Sequence, residues 1–511
     1  MNEFLRVYLD RTLSSHRFVK HSLLSVFYAL AMLILALFKG FLNEYLLMLI
    51  PTLIVNEIFI IYACSQKASG VCLSGVCLLN VCAAVARALF NPASVVGTSI
   101  FMFIGVLAAF LFGYVERSFA ENHLPLRKFA LCGMFLSLIL CLFMPETRGA
   151  KAWFKIGDTA LFQLTEIAKF FYVIYLGTLF AAKSEDNGKV GTSLIVTALA
   201  SVLLLLANEF GTILVMCAAY FCLAMIKLKK FRSKLIVLGS YALVIGLAAL
   251  ILWSTSQRLD RWHCNVCDGT NPSDAVECTA TRMCQAKVNT NLCNGKCTET
   301  NKCDSCKYGM PVGKSTYLCP TCRLISWNPA HSNDKENSTD DCVLCSKNNS
   351  LSLNILLKLK KVHDRFNVAF NYEAVQGSSS AFHMTQSTKA IKVGRLFGDK
   401  DLIVYIPSID TDSIIAGLIN RLGAVFALVV LLAFFLIFAG IYTANSPLRI
   451  AATFTFIFQA LFTYLSTVNL MPLTGIGVPL ISRGGSNLVV CYVMIYIMLT
   501  SMPNRNKEVK K

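Results

Sequence analysis

Twelve long apolar stretches follow one another along this chain, and they constrain its fold more than any other feature of the sequence. At roughly 20 residues, each is long enough to cross the hydrocarbon core of a bilayer as an α-helix. The sequence therefore predicts an all-α polytopic membrane protein with about 12 transmembrane helices. The stretches lie near residues 22–38, 43–63, 71–90, 97–115, 128–144, 165–182, 190–206, 210–226, 234–254, 413–440, 448–468 and 486–502.

The charge composition agrees with a membrane protein. Charged residues make up only 15% of the 511 residues, against about a quarter in soluble domains. The net charge of +18 would suggest a nucleic-acid partner in a soluble protein. In a membrane protein, basic residues collect in the loops that stay in the cytoplasm, so we expect no nucleic-acid partner. The first apolar run has no small-residue cleavage site after it, and we expect it to be retained as an anchor.

Basic residues concentrate in three segments, at 1–20, 227–234 and 503–511. With twelve spans the three segments fall on one side, which the positive-inside rule assigns to the cytoplasm. Both termini are therefore predicted to be cytoplasmic. The outer loops are then 145–164, 255–412 and 469–485. The first and third are rich in Gly, Pro and polar residues yet remain apolar, so we predict re-entrant loops that build a site; simple helix connections are the alternative.

The longest outer loop contains a cysteine-rich insertion. Four C-x-x-C pairs stand among its cysteines, and this spacing favours tetrahedral zinc. An even cysteine count outside the cytoplasm favours disulfides instead, and both interpretations remain open. In either case we predict a small docking or sensing module. The candidate zinc ligands are Cys264, Cys267, Cys303, Cys306, Cys319, Cys322, Cys342 and Cys345.

Ionisable residues at membrane depth are costly, so each is a functional candidate. Glu166 and Lys169 open the sixth span, three residues apart on one helical face, where they can pair. Glu209 lies in the outer turn after the seventh span, and Asp412 and Arg483 lie in outer loops. The structural alternatives are a simple ion pair for Glu166 and Lys169, and a helix N-cap for Asp412.

Four separated motifs lie at the predicted outer ends of the spans. In chain order they read GAKAWFKIG with FQLTEIAK, then NEFGT, then QSTKAIKVGRLFG with YIPSIDTD, and finally MPLTGIGVPLISRGGSN. They resemble "GARRWIxLG…QPSExAK", "xDLGT", "QSxxAIxxGGxxG…LPxxHTDF" and "LPxTGxxLPFxSxGGSS" of the shape, elongation, division and sporulation family, exemplified by FtsW and RodA. The resemblance gives these substrate-binding or supporting candidates: Trp153, Gln163, Glu166, Lys169, Glu209, Thr411, Thr474, Ser482, Arg483, Gly484, Gly485 and Ser486.

The resemblance implies a peptidoglycan glycosyltransferase that polymerises lipid II on the outer face of the bacterial cytoplasmic membrane during division or elongation. It also implies a class B penicillin-binding protein as partner. The family's essential Asp maps to Asp412, which would act as general base on the attacking sugar hydroxyl. Arg483, Lys169 or a divalent cation would stabilise the departing pyrophosphate.

The chain departs from the family pattern at two places beside Asp412. Asp410 replaces the family's His, and Asn420-Arg421 replaces its acidic pair. Two other functions are therefore weighed: a flippase for a lipid-linked precursor, and a degenerate scaffold for the penicillin-binding protein. The predicted organisation is a cytoplasmic segment, N-terminal helices, first half of the core, cysteine-rich insertion, second half of the core and basic tail, at 1–20, 21–144, 145–262, 263–350, 351–502 and 503–511.

Overall fold

The structure is a computed structural model, and it divides into two compact units. One comprises residues 1–239 and 368–511, and the other comprises residues 240–367. The eight candidate zinc-ligand cysteines and Thr474 lie outside the described residues. The structure describes residues 16–66, 68–119, 122–145, 150–156, 159–259, 261–263, 270–272, 317–318, 325–326, 365–366, 368–369, 382–399, 402–441, 446–473 and 475–500.

Helices dominate the described chain. Before the cysteine-rich insertion they are α1 His16–Lys39, α2 Leu42–Ser65, α3 Gly70–Phe90, α4 Val95–Ser118, α5 Leu124–Phe143, α6 Leu164–Ala181, α7 Asp186–Leu206, α8 Phe210–Lys227 and α9 Phe231–Leu259. After the insertion they are α10 Phe382–Gly394, α11 Ile414–Leu422, α12 Ala424–Ile441, α13 Pro447–Thr467 and α14 Gly485–Leu499.

Eleven of the predicted spans each correspond to one helix, the span at 413–440 corresponds to α11 and α12, and α10 lies outside the predicted spans. The chain is a multi-pass membrane protein. Within the described residues, 10 helices are long and apolar enough to cross a membrane, and two shorter apolar helices lie at Ala424–Gly440 and Gly485–Leu499. Large apolar side chains remain exposed on the outside, among them Phe38 at 69%, Leu107 at 71% and Phe143 at 77%. Lipid tails are the environment that such a surface requires.

One span predicted as a single continuous helix is broken into two helices. The sequence predicted a single helix over 413–440, whereas the structure has α11 and α12 separated by Gly423. Gly423 has a φ of 92°, in the left-handed region that only glycine adopts readily. A Cβ there would also collide with the Leu396 carbonyl oxygen. α11 is therefore a short helix that carries the Asp412 segment above the spanning helix.

α3 lies at the centre of the first unit, with 89% of its apolar window buried. It packs against α1, α2 and α12. A Cβ on Gly75 would lie 2.8 Å from the Ala433 carbonyl oxygen of α12, so the two backbones approach closely there. Small residues at a helix interface allow this approach, which drives helix association where lipid removes the hydrophobic effect.

The two short outer loops have different structures. The first contains an antiparallel hairpin, β1 Trp153–Ile156 and β2 Thr159–Gln163. The other is irregular but turns inward, and its side chains from Val478 to Ser482 are buried. Irregular backbone of this kind is tolerated at membrane depth where protein covers it, so the burial of this loop agrees with the predicted re-entrant segment.

The second unit contains the end of α9 and four short strands. These are β3 Arg261–His263, β4 Thr270–Pro272, β5 Tyr317–Leu318 and β6 Ile325–Ser326, in the order β4-β3-β6-β5. β3 runs antiparallel to β4 and parallel to β6, and β5 runs antiparallel to β6. The zinc and disulfide interpretations of this region stay predictions.

Candidate active site

Asp412 lies in a tight turn that leads into α11. The backbone amides of Thr411 and Ser413 both donate to the Ser408 carbonyl oxygen, at 3.0 and 3.2 Å. The N-cap residue of α11 is Ser413, and it makes no side-chain cap hydrogen bond. The N-cap interpretation of Asp412 was therefore wrong by one residue. Its carboxylate lies just before the helix and is half-buried.

The segment Ser482–Arg483 holds this turn from a distant part of the chain. Ser482 Oγ donates to the Thr411 carbonyl oxygen at 2.8 Å and accepts a bond from the Val478 amide at 2.7 Å. The Arg483 amide donates to the Asp410 carbonyl oxygen at 2.7 Å, and its guanidinium pairs with the Asp410 carboxylate at 3.1 Å. Two of the sequence motifs thus meet at the Asp412 turn.

The hairpin motif joins the same region through the start of α14. Ser486 Oγ accepts a bond from the Gln163 amide at 2.8 Å, and Gln163 is the register partner of Trp153. Gly485 must be small, because a Cβ there would lie 2.7 Å from the Phe101 ring. These candidates therefore act through backbone geometry: they fix the hairpin and α14 against each other.

A buried ion pair lies at the start of α6, as the spacing of Glu166 and Lys169 predicted. Lys169 Nζ lies 2.7 Å from Glu166 Oε2 and donates to Oε1 at 2.8 Å. It also donates to Gln459 Oε1 of α13 at 2.6 Å. The Gln459 amide donates in turn to the Gly477 carbonyl oxygen at 2.9 Å. The network ties two helices to the re-entrant segment, and its ions are less than 10% exposed.

Glu209 lies in the turn between α7 and α8, beside this network. Burial raises the pKa of its carboxyl group to about 7, and the negative charges of Glu166 and Asp412 act in the same direction. The Thr212 hydroxyl, at 3.4 Å from Glu209 Oε2, and the Lys169 ammonium partly oppose them. Glu166, Lys169, Glu209 and Asp412 therefore form one electrostatic cluster, although they come from three separated motifs.

The raised pKa of Glu209 predicts a pH dependence of stability. Between the ordinary Glu pKa of about 4.3 and the folded value of about 7, the folded state keeps a proton that the unfolded chain has lost. The free energy of unfolding should therefore fall as pH rises through this window. We expect Glu209→Gln to remove this fall. Thermal unfolding of both proteins in detergent from pH 5 to 8 tests it; a constant difference between the two curves would contradict the assignment.

A cavity of about 170 Å³ lies beside the turn, where Asp410 and Ile414 line it. Its charged lining residues are Arg87, Asp410 and Arg483, and the backbone of Gly484 and Gly485 closes one wall. Arg87 is 6% exposed and donates to the Leu480 carbonyl oxygen. Asp412 does not line this cavity. The turn therefore presents Asp410 to the arginine-lined cavity. The charge of Asp412 instead contributes to the raised pKa of Glu209.

Two residues of the site escaped the sequence-based reasoning. Arg87 is an ionisable residue within the third predicted span, and Gln459 is an amide within the eleventh. Such polar groups inside apolar helices were the available signal. The sequence did not predict their partners. Arg87 binds Leu480, 393 residues away, and Gln459 binds Lys169, 290 residues away.

The departure at Asn420 has a structural explanation. Asn420 is fully buried, and its Nδ2 donates to the Leu402 carbonyl oxygen at 3.2 Å while its Oδ1 accepts from the Val404 amide at 3.2 Å. A carboxylate accepts hydrogen bonds but does not donate them, so the amide fits this pair of partners. Asn420 and Arg421 do not line the arginine-lined cavity. Asn420 thus fixes the segment before the Asp412 turn.

A divalent cation at the leaving group stays a prediction from the sequence. In the part of the chain that the structure describes, no group of three or more His, Cys, Asp or Glu side chains is placed to hold a metal ion. The acidic cluster also contains Lys169, whose ammonium occupies the Glu166 carboxylate. Among the described residues this cluster therefore does not form a metal site. No step proposed below passes through a metal.

The sequence comparisons identify the family. The model of the FtsW, RodA and SpoVE cell cycle proteins matches residues 71–274 and 349–507, well over half of the chain. The chain belongs to this family. The gap in the match falls within the cysteine-rich insertion, which the family resemblance also left uncovered. This FtsW/RodA/SpoVE member therefore carries an added segment between two family-like halves.

Curated relatives match parts of this family member. A probable peptidoglycan glycosyltransferase FtsW from Idiomarina loihiensis is 33% identical over 96 residues, which cover 18% of this chain and 23% of that protein. The corresponding protein of Buchnera aphidicola is 31% identical over 134 residues, covering 23% of this chain and 35% of the relative. The chain thus matches about a third or less of the length of these relatives.

A solved structure shows that the fold is shared. A chain from a study of structural coordination of polymerization and crosslinking by a peptidoglycan synthase complex superposes on this chain with a TM-score of 0.52. The superposition covers 83% of this chain and 96% of that one, at 16% sequence identity. The predicted membrane fold of the FtsW/RodA family is confirmed.

Proposed function

We propose that this protein is a peptidoglycan glycosyltransferase that polymerises lipid II at the outer face of the cytoplasmic membrane. The observation that supports it best is the contact between the third and fourth motifs at the Asp412 turn, where Ser482 and Arg483 bind the carbonyl oxygens of Thr411 and Asp410. The charge of Asp412 acts on the buried cluster of Glu166, Lys169 and Glu209, and Asp410, two residues before it, lines the arginine-lined cavity. Transfer of a sugar from a pyrophosphate carrier requires a carboxylate that accepts a proton and cationic groups that bind the leaving group.

In the proposed reaction Asp412 accepts the proton of the attacking sugar hydroxyl. The hydroxyl oxygen forms a bond to the anomeric carbon, and the bond from that carbon to the pyrophosphate oxygen breaks. Undecaprenyl pyrophosphate leaves with the electron pair. A positioned general base contributes about 10²–10⁴ in rate.

The arginine-lined cavity suits the pyrophosphate. Guanidinium groups form strong, charge-assisted hydrogen bonds to phosphate oxygens. The N-terminus of α14, at Gly484 and Gly485, adds backbone amides that favour an anion. Arg483 is 61% exposed at its side chain, so it is accessible to a ligand, whereas Arg87 is buried and fixed by its bond to Leu480. When lipid II binds, the Arg483 guanidinium would leave the Asp410 carboxylate and bind the pyrophosphate.

The cavity assignment predicts the effect of Arg483→Gln. Loss of a charge-assisted hydrogen bond should raise KM for lipid II, and the inhibition constant of inorganic pyrophosphate, by about tenfold. Arg395→Gln is the matched control, because Arg395 is exposed in the turn after α10 and does not line the cavity. Steady-state polymerisation with and without pyrophosphate measures both constants. Equal constants for Arg483→Gln and wild type would remove Arg483 from the leaving-group site.

We also propose a class B penicillin-binding protein as partner, with both termini of the chain in the cytoplasm. The structural neighbour belongs to a peptidoglycan synthase complex, and this supports the partner. If the twelve predicted spans alternate in direction, the start of α1, the basic loop between α8 and α9, and the end of α14 fall on one side, which supports this orientation. The positive-inside rule assigns that side to the cytoplasm.

Proteoliposomes separate the proposed polymerase from a flippase. Lipid II with a fluorescent sugar is enclosed in vesicles that contain the purified full-length protein and the penicillin-binding protein. A polymerase yields long glycan strands on gels. A flippase instead exposes monomeric lipid II to an external quencher without forming strands. Quenching without strands would overturn the proposed function. If neither glycan strands nor quenching is observed while the penicillin-binding protein is bound, the scaffold function remains.

A further inference from the structure

The side chain of His383 reaches the Asp412 turn from the first turn of α10. Its Nε2 lies 2.6 Å from the Pro407 carbonyl oxygen and 2.7 Å from Ser413 Oγ. Pro407 and Ser413 are the two ends of the segment that carries Asp412. A single imidazole therefore bridges the base of the turn.

The contacts determine which form of the imidazole is present. A carbonyl oxygen only accepts hydrogen bonds, so His383 Nε2 must carry the hydrogen that binds Pro407. The same N–H then faces Ser413 Oγ, which also acts as an acceptor, and the Ser413 hydroxyl hydrogen points elsewhere. His383 thus acts here as a hydrogen-bond donor. A side chain without a donor at this position cannot bind the Pro407 carbonyl oxygen, so it cannot join the two ends of the turn in this way.

Contacts with neighbouring segments fix α10, the helix that carries His383. The Asn469 amide donates to Thr388 Oγ1 at 3.0 Å. Ala390 packs with Ile406 and Ala416 in a buried cluster. The helix is therefore connected to the end of α13 and to α11, and His383 projects from a rigid element. Residues on rigid elements hold a catalytic group more accurately than residues on loops.

The sequence makes this contact informative. Asp410 stands where the family pattern has His directly before Thr-Asp, so the imidazole next to the catalytic motif is missing from its usual place in the chain. His383, 27 residues earlier, brings an imidazole to the same turn. Ser482 and Arg483 hold the middle of the turn, and His383 holds its two ends.

We propose that His383 is a positioning residue that fixes the Asp412 carboxylate for proton transfer by closing the turn from Pro407 to Ser413. This rests on the proposed function of Asp412 as general base. His383 itself contacts no substrate in this account. A displacement of about 1 Å at a reacting group can cost about 10²-fold in rate, so loss of this bridge should reduce kcat more than it changes KM.

The test compares His383→Gln with His383→Glu in the full-length protein. The two side chains have nearly the same shape, but the amide keeps an N–H donor and the carboxylate has none. We expect His383→Glu to lower kcat for lipid II polymerisation about tenfold or more while KM changes little. His383→Gln should keep most of the activity. His383→Leu, which removes the donor without adding charge, should behave as His383→Glu does.

Hydrogen–deuterium exchange gives a second readout that does not need activity. The amides of Thr411 and Ser413, which bind Ser408, should exchange faster in His383→Glu and His383→Leu than in wild type and in His383→Gln. Unchanged exchange in His383→Glu and His383→Leu overturns the proposal, and so does a His383→Gln variant as slow in kcat as His383→Glu. If wild type makes no polymer but exchange is faster in His383→Glu and His383→Leu, the His383 bridge is supported. The proposed polymerase function is then rejected.

Discussion

Replacing Lys169 with methionine is expected to destabilise the folded protein by about 3–5 kcal/mol, because it leaves a carboxylate buried without its cation. Lys169 is 3% exposed, and its ammonium contacts both Glu166 oxygens and Gln459. Methionine has a similar length but no charge and no donor. Thermal or denaturant unfolding of the purified protein in detergent measures the loss.

The double variant Lys169→Met with Glu166→Gln is the informative control for this prediction. It removes both charges, so most of the lost stability should return. Lys389→Met, at an exposed position on α10, should leave the unfolding midpoint near that of wild type. If Lys169→Met alone is as stable as the double variant, an unpaired Glu166 carboxylate does not cause the predicted loss of stability.

Replacing Asp412 with asparagine is expected to lower the polymerisation rate by about 10²–10⁴. The amide keeps the size of the side chain but cannot accept the sugar hydroxyl proton. The turn should persist, because its hydrogen bonds use the backbone of Thr411 and the side chains of Ser482 and His383. Lipid II binding should therefore stay within a few fold of wild type while kcat falls.

Glu44→Gln provides the matched control for Asp412→Asn. Glu44 is a half-buried carboxylate in the first turn of α2, at the same end of the bundle as Asp412. Loss of its charge should leave kcat near wild type. Retention of more than about a tenth of the activity by Asp412→Asn would remove Asp412 from the role of general base.

The spans and the composition of the site could be predicted because they depend on local patterns. Apolar runs of about 20 residues must become helices in lipid, and the spacing of Glu166 and Lys169 places them on one helical face. Glu209 also followed from pattern, since an acidic residue between two spans must lie at a membrane surface. The ion pair, and the position of Glu209 in a turn between two helices, are what the structure contains.

The assembly of the site could not be predicted from local patterns. Ser482 reaches Thr411 across 71 residues and Gln163 reaches Ser486 across 323, and nothing in one sequence reports such contacts. The break at Gly423 was missed because an apolar run on both sides favours one continuous helix. The N-cap of α11 was misplaced by one residue, since Asp412 and Ser413 are both good capping types. His383 carried no signal at all until its contacts were known.

The most direct test of the central claim is the formation of glycan strands from lipid II by the purified full-length protein together with a bound class B penicillin-binding protein. Wild type and Asp412→Ala are compared under the same conditions, with complex formation confirmed for both. We predict strands from wild type and none from Asp412→Ala. No strands from wild type in the confirmed complex, or equal amounts from both proteins, would contradict the assignment of Asp412 as the catalytic base of a lipid II polymerase.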